Sequence, residues 1–449
     1  MTKSYQINMT EGSIVKKLLQ FSVPLIFSSL LQILFNTADV IVVGRFAGDN
    51  SLGAVGSTGS LINLMVNLFV GLSVGTTVVA ANFFGAGKKS ELKETVHTAI
   101  LLSLISGIIL TIFGVVGAKK ILQWMQSPKE ILDLATQYLQ IYFGGIISTM
   151  IYNFGSALLR AKGDTKRPLY ILFFAGIINV ILNLIFVILF KMDVAGVALA
   201  TVISQTISAF LVVRCLFKET EEFKLDLKQL KINPQILIRI IKIGVPAGLQ
   251  GIIFSLSNVI IQSSINSFGA VVIAGNSAAL NIENFIFTGM NGFSQGTLTF
   301  ISQNFGAKKY QRINKTIIVA IFCVFLVGFV FGNLTVIFGR KLLSFFTTSP
   351  EVIESGISRL KIICATYALC GMMDVMGNAI RGIGHSVLPM IITLLGACGI
   401  RLLWISTIFL IPKFHSCTTI FVSYPISWTV TFIAHIICFF IIRKKEFSK

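Results

Sequence analysis

Apolar runs long enough to cross a ~30 Å hydrocarbon layer, which takes about 20 helical residues, recur twelve times along this chain. They fall at 15–43, 53–84, 92–118, 131–159, 168–190 and 194–217, and again at 239–267, 272–302, 312–339, 352–380, 387–411 and 419–442. Isolated strands leave backbone groups unsatisfied in lipid, so each run is expected to be a helix. The expected fold class is therefore an all-α membrane protein with twelve transmembrane helices. Composition agrees: 54% of residues are hydrophobic and 12% charged, where soluble domains carry roughly a quarter charged. No stretch is left over for a separate soluble domain.

The net charge of +19 would suit a nucleic-acid binder if it formed one basic face with motif support, but it is spread along alternate loops. With the N-terminus inside, 26 of the 37 Lys and Arg fall on inner segments, among them Lys3, Lys88, Lys89, Lys162, Lys166, Lys308 and Lys309. Ten fall in outer segments or at outer span ends and one, Arg401, within a span. The positive-inside rule thus puts both termini in the cytoplasm, excludes a nucleic-acid partner and expects a multi-pass protein of a bacterial inner membrane. The first residues lack the pattern of a cleaved signal, so the first span is expected to be retained. The seven cysteines show neither CxxC nor Cys/His spacing and read as small core residues rather than disulfide or metal ligands.

The twelve spans are two sixes. Shifted by 221 positions, "GLSVGTTVVAANFFGAGK" from Gly71 matches "GFSQGTLTFISQNFGAKK" from Gly292, with Gly71/Gly292, Gly75/Gly296, Phe84/Phe305 and Lys88/Lys309 among the identities. The same shift pairs Asn63 with Asn284, Arg160 with Arg381, Gly163 with Gly384 and Pro168 with Pro389. One residue more pairs Pro24 with Pro246 and Asn36 with Asn258. Six spans per repeat is an even number, so both halves enter the bilayer from the same side and are expected to be related by a pseudo-two-fold axis along the membrane normal. The expected domains are a six-helix lobe at 1–217, a charged linker at 218–238 and a second six-helix lobe at 239–449, with a ligand site between or inside the lobes. Each lobe carries one GxxxG, at Gly71/Gly75 and Gly292/Gly296, read as a close helix-packing face. Pro24 and Pro246 are expected to bend the first span of each lobe.

Polar residues inside the spans are spaced to share helix faces. Ser29, Gln32, Asn36 and Asp39 form such a stripe, as do Thr149, Asn153, Ser156 and Arg160; Asn179 and Asn183; and Thr201, Gln205 and Ser208. The second lobe has Ser255, Asn258, Gln262 and Asn266. Its deep charges are Glu283, Asp374 and Arg401, a candidate coupling or substrate site or else a buried ion-pair network joining spans 8, 10 and 11. Intramembrane charges face a cavity or a partner and are candidate functional groups by default. Asp39 and Arg45 are six residues, about 240°, apart and do not share a face. Gln32, Asn36, Gln205, Asn258 and Gln262 are the expected secondary lining of a polar cavity.

Over nearly its whole length the chain resembles the multidrug and toxic compound extrusion (MATE) transporters. The residues that carry this are "FNTADVIVVGRFAG", "NFFGAGK" and "NFGAKK", "LLRAKGDTKRP" and "IRGIGHSVLP", "NVILN" and "AGVALATVISQ". The resemblance implies two six-helix bundles forming a cleft and export of amphipathic, often cationic organic compounds against an inward proton or sodium gradient. Carried over by motif, the N-lobe ion site comprises Asp39, Asn153, Asn179, Asn183 and Thr201. Asn183 departs from the family, where an aspartate often stands. A single charge compensates a desolvated cation less well than two, so a proton is preferred to sodium, and no other cofactor is implied. The expected protein is a secondary antiporter that works by alternating access, with small organic molecules and membrane lipid as partners, and functions as a monomer. The alternative is a flippase for a lipid-linked or polyisoprenoid cargo of the wider superfamily. An enzyme is not expected: no HExxH occurs, and the two GxSxG strings, Gly71–Gly75 and Gly292–Gly296, lie inside apolar runs rather than at a strand-to-helix turn.

Overall fold

The computed structural model describes residues 5–219 and 222–447. Lys3, counted among the inner basic residues, lies outside them. Among the described residues every regular element is helical. The first repeat runs α1 (Ile14–Phe46), α2 (Asp49–Gly85), α3 (Lys89–Trp124), α4 (Lys129–Gly144), α5 (Ile146–Ala161), α6 (Lys166–Leu184) and α7 (Asp193–Phe217). The second runs α8 (Pro234–Asn266), α9 (Ala270–Gly306), α10 (Tyr310–Ile337), α11 (Gly339–Leu343), α12 (Pro350–Ile363), α13 (Tyr367–Gly382), α14 (Val387–Thr393), α15 (Ile400–Ser406) and α16 (Cys417–Glu446).

Eleven helices among the described residues are long and apolar enough to cross a bilayer. The twelfth expected span, 131–159, is the α4–α5 pair, broken at the Gly144–Gly145 step into two 16-residue pieces. Each piece is only about 24 Å long, too short alone for a ~30 Å layer. The repeat places a second break at the matching register, where the 3₁₀ turn Cys364–Thr366 separates α12 from α13. Wider turns of π type end the fifth span of the first half, at Ile185–Leu189, and interrupt that of the second, at Leu394–Gly399. Such turns are a common local adjustment where side chains must be re-aimed.

Outward-facing side chains are apolar, as a lipid solvent requires: Phe113 is 65% and Val116 80% exposed. The interior of the first repeat packs Val43, Ala54, Leu122, Leu139, Phe143 and Met150. That of the second packs Ile301, Ile313, Met376, Ala379 and Phe439. Gly163 and Gly384, equivalent in the two repeats, have φ of 96° and 99°, the left-handed region that only glycine enters at little cost. They turn the chain between α5 and α6 and between α13 and α14.

The chain divides into two compact units. One holds Phe27–Gly248 with the stretch before Met9; the other holds Met9–Ile26 and Leu249–Lys449. The divisions fall two residues past Pro24 and Pro246, inside α1 and α8, rather than in the 218–238 segment. The paired glycines account for this. In the first unit a Cβ on Gly71 would lie 2.4 Å from the Gly248 amide nitrogen, and one on Gly75 2.4 Å from the Ile240 carbonyl oxygen. In the second, Gly292 and Gly296 receive the side chains of Ile26 and Ser22. Each GxxxG is thus a helix-packing face, holding the first part of α8 in one unit and of α1 in the other. The described part of 218–238 belongs to the first unit. There Phe223 and Leu225 are buried, the Asp226 amide donates to His97 Nε2 at 3.1 Å, and the Asn233 amide donates to Thr98 Oγ1 at 3.1 Å.

Candidate functional site

In the first unit α1, α6 and α7 present one continuous polar chain. Asn183 Nδ2 donates to Asp39 Oδ1 and also to Asn179 Oδ1 at 3.3 Å; Asn179 Nδ2 donates to Thr201 Oγ1 at 3.4 Å. The helix explains the pairing. Asn179 and Asn183 are four residues apart and stack on one face of α6, while Thr201 projects from α7 and Asp39 from α1. Asn179 and Asn183 are buried and Asp39 is half-buried. Four of the five sequence-read residues therefore meet. The fifth, Asn153 on α5, is half-buried and is not joined to the chain by a hydrogen bond. Two acceptors of this region, Asn183 Oδ1 and Gln205 Oε1, are buried without a partner among the described residues. Gln32 and Asn36 are exposed on α1 beside Asp39, and Tyr138 of α4 lies within electrostatic reach of the Asp39 carboxylate.

Asp39 forms no ion pair among the described residues, so Arg45 is not its partner. Its oxygens, the unpaired Asn183 oxygen and Thr201 Oγ1 are the groups here that could face a small cation. Among the described residues no group of three or more His, Cys, Asp or Glu gathers as a metal site.

The second unit is built differently. Glu283 of α9 is 3% exposed and Arg359 of α12 2%. They form a bidentate pair, Arg359 Nε to Oε1 at 2.8 Å and Nη2 to Oε2 at 2.7 Å. Arg359 Nη1 donates to Asn276 Oδ1 at 2.9 Å. Asn276 Nδ2 in turn donates to Gln262 Oε1 at 2.9 Å, and Gln262 Nε2 to Asn266 Oδ1 at 2.8 Å. The planar guanidinium matches a carboxylate in this fork geometry, which makes the pair short and directional.

Of these, Glu283, Arg359 and Gln262 line a cavity of about 310 Å³ with Asn258, Tyr367, Arg401, Tyr424 and Trp428. Arg401, 2% exposed, donates from Nε to Ser427 Oγ at 2.8 Å and lies over the Tyr424 ring at 4.0 Å and the Trp428 ring at 5.5 Å.

The sequence reading of this lobe needs two corrections. A buried ion pair exists, but Glu283 takes Arg359, not Arg401, and Asp374 stands outside both the pair and the cavity lining, within electrostatic reach of Arg381. Arg401 is also not the only deep cation, because Arg359, counted at an outer span end, is fully buried. Two acidic residues in the first turn of α12 and its neighbourhood, Glu351 and Glu354, make that stretch look like a solvated helix end. The signal missed was register: Arg359 stands 221 residues after Tyr138, inside a repeated span.

The MatE family model matches residues 24–185 and 246–405, one block for each repeat, and the chain belongs to that family of multi-pass membrane transporters. Among curated relatives it is 26% identical over 400 residues to the Probable multidrug resistance protein YoeA of Bacillus subtilis, covering 87% of this chain and 86% of the other. It is 25% identical over 406 residues to the Probable multidrug resistance protein NorM of Thermotoga maritima, covering 89% and 87%. Among solved structures, a multidrug resistance MATE family transporter of the MOP superfamily in an outward-facing conformation superposes with a TM-score of 0.90 at 22% identity, covering 100% of this chain and 99% of that one.

Proposed function

We propose that this protein is a secondary antiporter that exports small amphipathic organic compounds, often cationic, in exchange for inward protons, with Asp39 as the proton-carrying group. Residence in the cell membrane as a monomer, with both termini cytoplasmic, goes with this reading. The multidrug resistance names of relatives such as YoeA and NorM support the cargo class. The observation that carries the ion assignment is the Asp39–Asn183 contact.

A carboxylate accepts hydrogen bonds, whereas a protonated carboxyl must also donate one. The Asn183 amide serves both states, because a half-turn replaces its Nδ2 with the oxygen that now lacks a partner. An aspartate there would add a charge and remove the donor. Protonation of Asp39 turns the Asn183 amide, loosens its bond to Asn179 and so alters the Asn179–Thr201 contact that links α6 to α7. A proton that favours one such arrangement and a cargo that favours the other are exchanged; equal preferences would shift nothing.

Asp39→Asn removes the titrating group but keeps shape and hydrogen bonding. In proteoliposomes it is expected to leave insertion and fold intact and to abolish proton-gradient-driven efflux of an organic dye cation such as ethidium. Efflux at the wild-type rate would reject the assignment.

A further inference from the structure

We infer that the cavity of the second unit is an anion-binding site, shaped for an oxyanion, a carboxylate or phosphate monoester, carried on a flat apolar body. This goes beyond the proton-coupled export of cationic compounds and does not depend on it.

The argument begins with charge. Of the three ionised groups lining the cavity, Glu283 and Arg359 are joined in a bidentate pair. Among the described residues Arg401 forms no ion pair, and its electrostatic neighbours include the Tyr424 phenol, the Cys370 and Cys398 thiols and the Arg359 cation. Its Nε is satisfied by Ser427, but among the described residues nothing pairs with Nη2, which is buried. Guanidinium is the side-chain cation best matched to a planar oxyanion. A buried cation without a counter-charge is also costly in a native fold, so a ligand that brings a negative charge against the guanidinium gains by offsetting it.

The walls select the rest of the ligand. Tyr424 and Trp428 hold the Arg401 plane by cation–π contact, which fixes its direction. Tyr367, Phe254 and Phe287 add further aromatic surface to a mixed apolar and polar lining around about 310 Å³, at the small end of ligand cavities. Asn258 and Gln262, both on α8, offer neutral polar groups at the same wall. A cation would meet the uncompensated Arg401 and find Glu283 already taken by Arg359.

The oxyanion could belong to a free aromatic acid or to a lipid headgroup, and the test separates these. The full-length protein in phosphatidylcholine nanodiscs is titrated calorimetrically with 2-naphthoate and with its cationic analogue 2-naphthylmethylammonium. The naphthoate is expected to bind at least tenfold more tightly. Arg401→Gln should lower naphthoate affinity tenfold or more, and Arg401→Lys, which keeps charge but loses the fork, should fall between; the Lys variant decides the matter if the Gln variant does not fold. Equal binding of the two probes to the wild type, or unchanged naphthoate affinity in a folded Arg401→Gln protein, would overturn the inference. Naphthoate binding that survives replacement of part of the phosphatidylcholine by phosphatidylglycerol supports a free solute, whereas competition would overturn that source in favour of a headgroup. The titration is made without any gradient, so its failure leaves the Asp39 efflux result standing, and the reverse also holds.

Discussion

The two lobes repeat the same order of spans and the same packing glycines, and among the described residues each keeps an unpaired interior acid, Asp39 in the first and Asp374 in the second, but they differ in where they bury their ion pairs. In the first unit the most buried charge pairs cluster beside the α5–α6 turn, outside the apolar layer. Lys162 and Glu219 lie 2.5 Å apart, Arg167 contacts both Glu219 and Asp164, and the interior keeps one unpaired acid, Asp39. In the second unit the matching turn replaces Lys162, Asp164 and Arg167 with Ile383, His385 and Leu388, while a full ion pair, Glu283–Arg359, is buried within the span. At one register the repeats carry Tyr138, which senses Asp39, and Arg359, which neutralises Glu283. Duplication preserved what packing needs, and the ionisable groups diverged because each lobe was left to solve its own electrostatics. A lone acid can change its charge; an acid gripped by a guanidinium cannot without great cost.

The largest expected effect follows from that grip. Arg359→Met leaves Glu283 buried and unpaired, which should cost about 3–5 kcal/mol of stability, while the double change Glu283→Leu with Arg359→Met should recover most of it. Denaturation midpoints in detergent would show this, and a single variant within about 1 kcal/mol of wild type would contradict the pair's structural weight. The equivalent N-lobe change, Tyr138→Phe, deletes no charge and should be far milder.

The next contrast concerns the shared scaffold. Gly71→Ala drives a methyl into the backbone of Gly248 and Gly244, at 2.4–2.6 Å, where nothing can rotate away. Gly292→Ala meets chiefly the Ile26 side chain, with the Ser22 carbonyl at 3.3 Å. Overpacking of this kind costs about 1–3 kcal/mol, and Gly71→Ala is expected to lose more thermal stability than Gly292→Ala. The reverse order would mean that the repeats do not use their glycines as the contacts indicate.

Asn183→Asp tests whether the single acid sets the ion. A second carboxylate beside Asp39 adds attraction for a bound cation of order 1 kcal/mol or more. The variant should therefore gain sodium-stimulated efflux about tenfold over wild type, a factor worth roughly 1.4 kcal/mol. Efflux of the variant that stays indifferent to sodium would show that charge count does not choose the ion here.

Much of this was legible in the sequence because hydropathy and repetition report directly on solvent and packing. The apolar runs located every span, and the 3–4 spacing that put Asn179 and Asn183 on one face of α6 predicted neighbours the fold then joined to Asp39. What spacing could not give was pairing across helices. Glu283 and Arg359 are 76 residues apart on α9 and α12, and only packing brings them together. Arg359 was misplaced because hydropathy averages over a window and sees a helix end wherever charges gather. The break at Gly145 was hidden for a related reason, since a 29-residue apolar run reads as one helix whether or not a Gly–Gly step divides it.

The smallest effect lies in the charges kept outside the layer. Burial alone would raise the Glu219 carboxyl, but the hydrogen bond from Lys162 and the charges of Arg167 and Lys162 outweigh it and hold Glu219 below the ordinary carboxylate range. A depressed carboxylate adds stability that is fully present above its unfolded value, about 4.3, and is lost as pH falls through the folded one. In Glu219→Gln the amide oxygen still accepts from Lys162, and Arg167 keeps Asp164, so about 1 kcal/mol should be lost at neutral pH. The difference in unfolding temperature between wild type and variant should hold steady from neutrality to about pH 5 and shrink below that. A difference that widened in acid would mean that the cluster favours the protonated carboxyl, and the division between a lobe that pairs its charges outside the bilayer and one that pairs them within it would fail at its outer half.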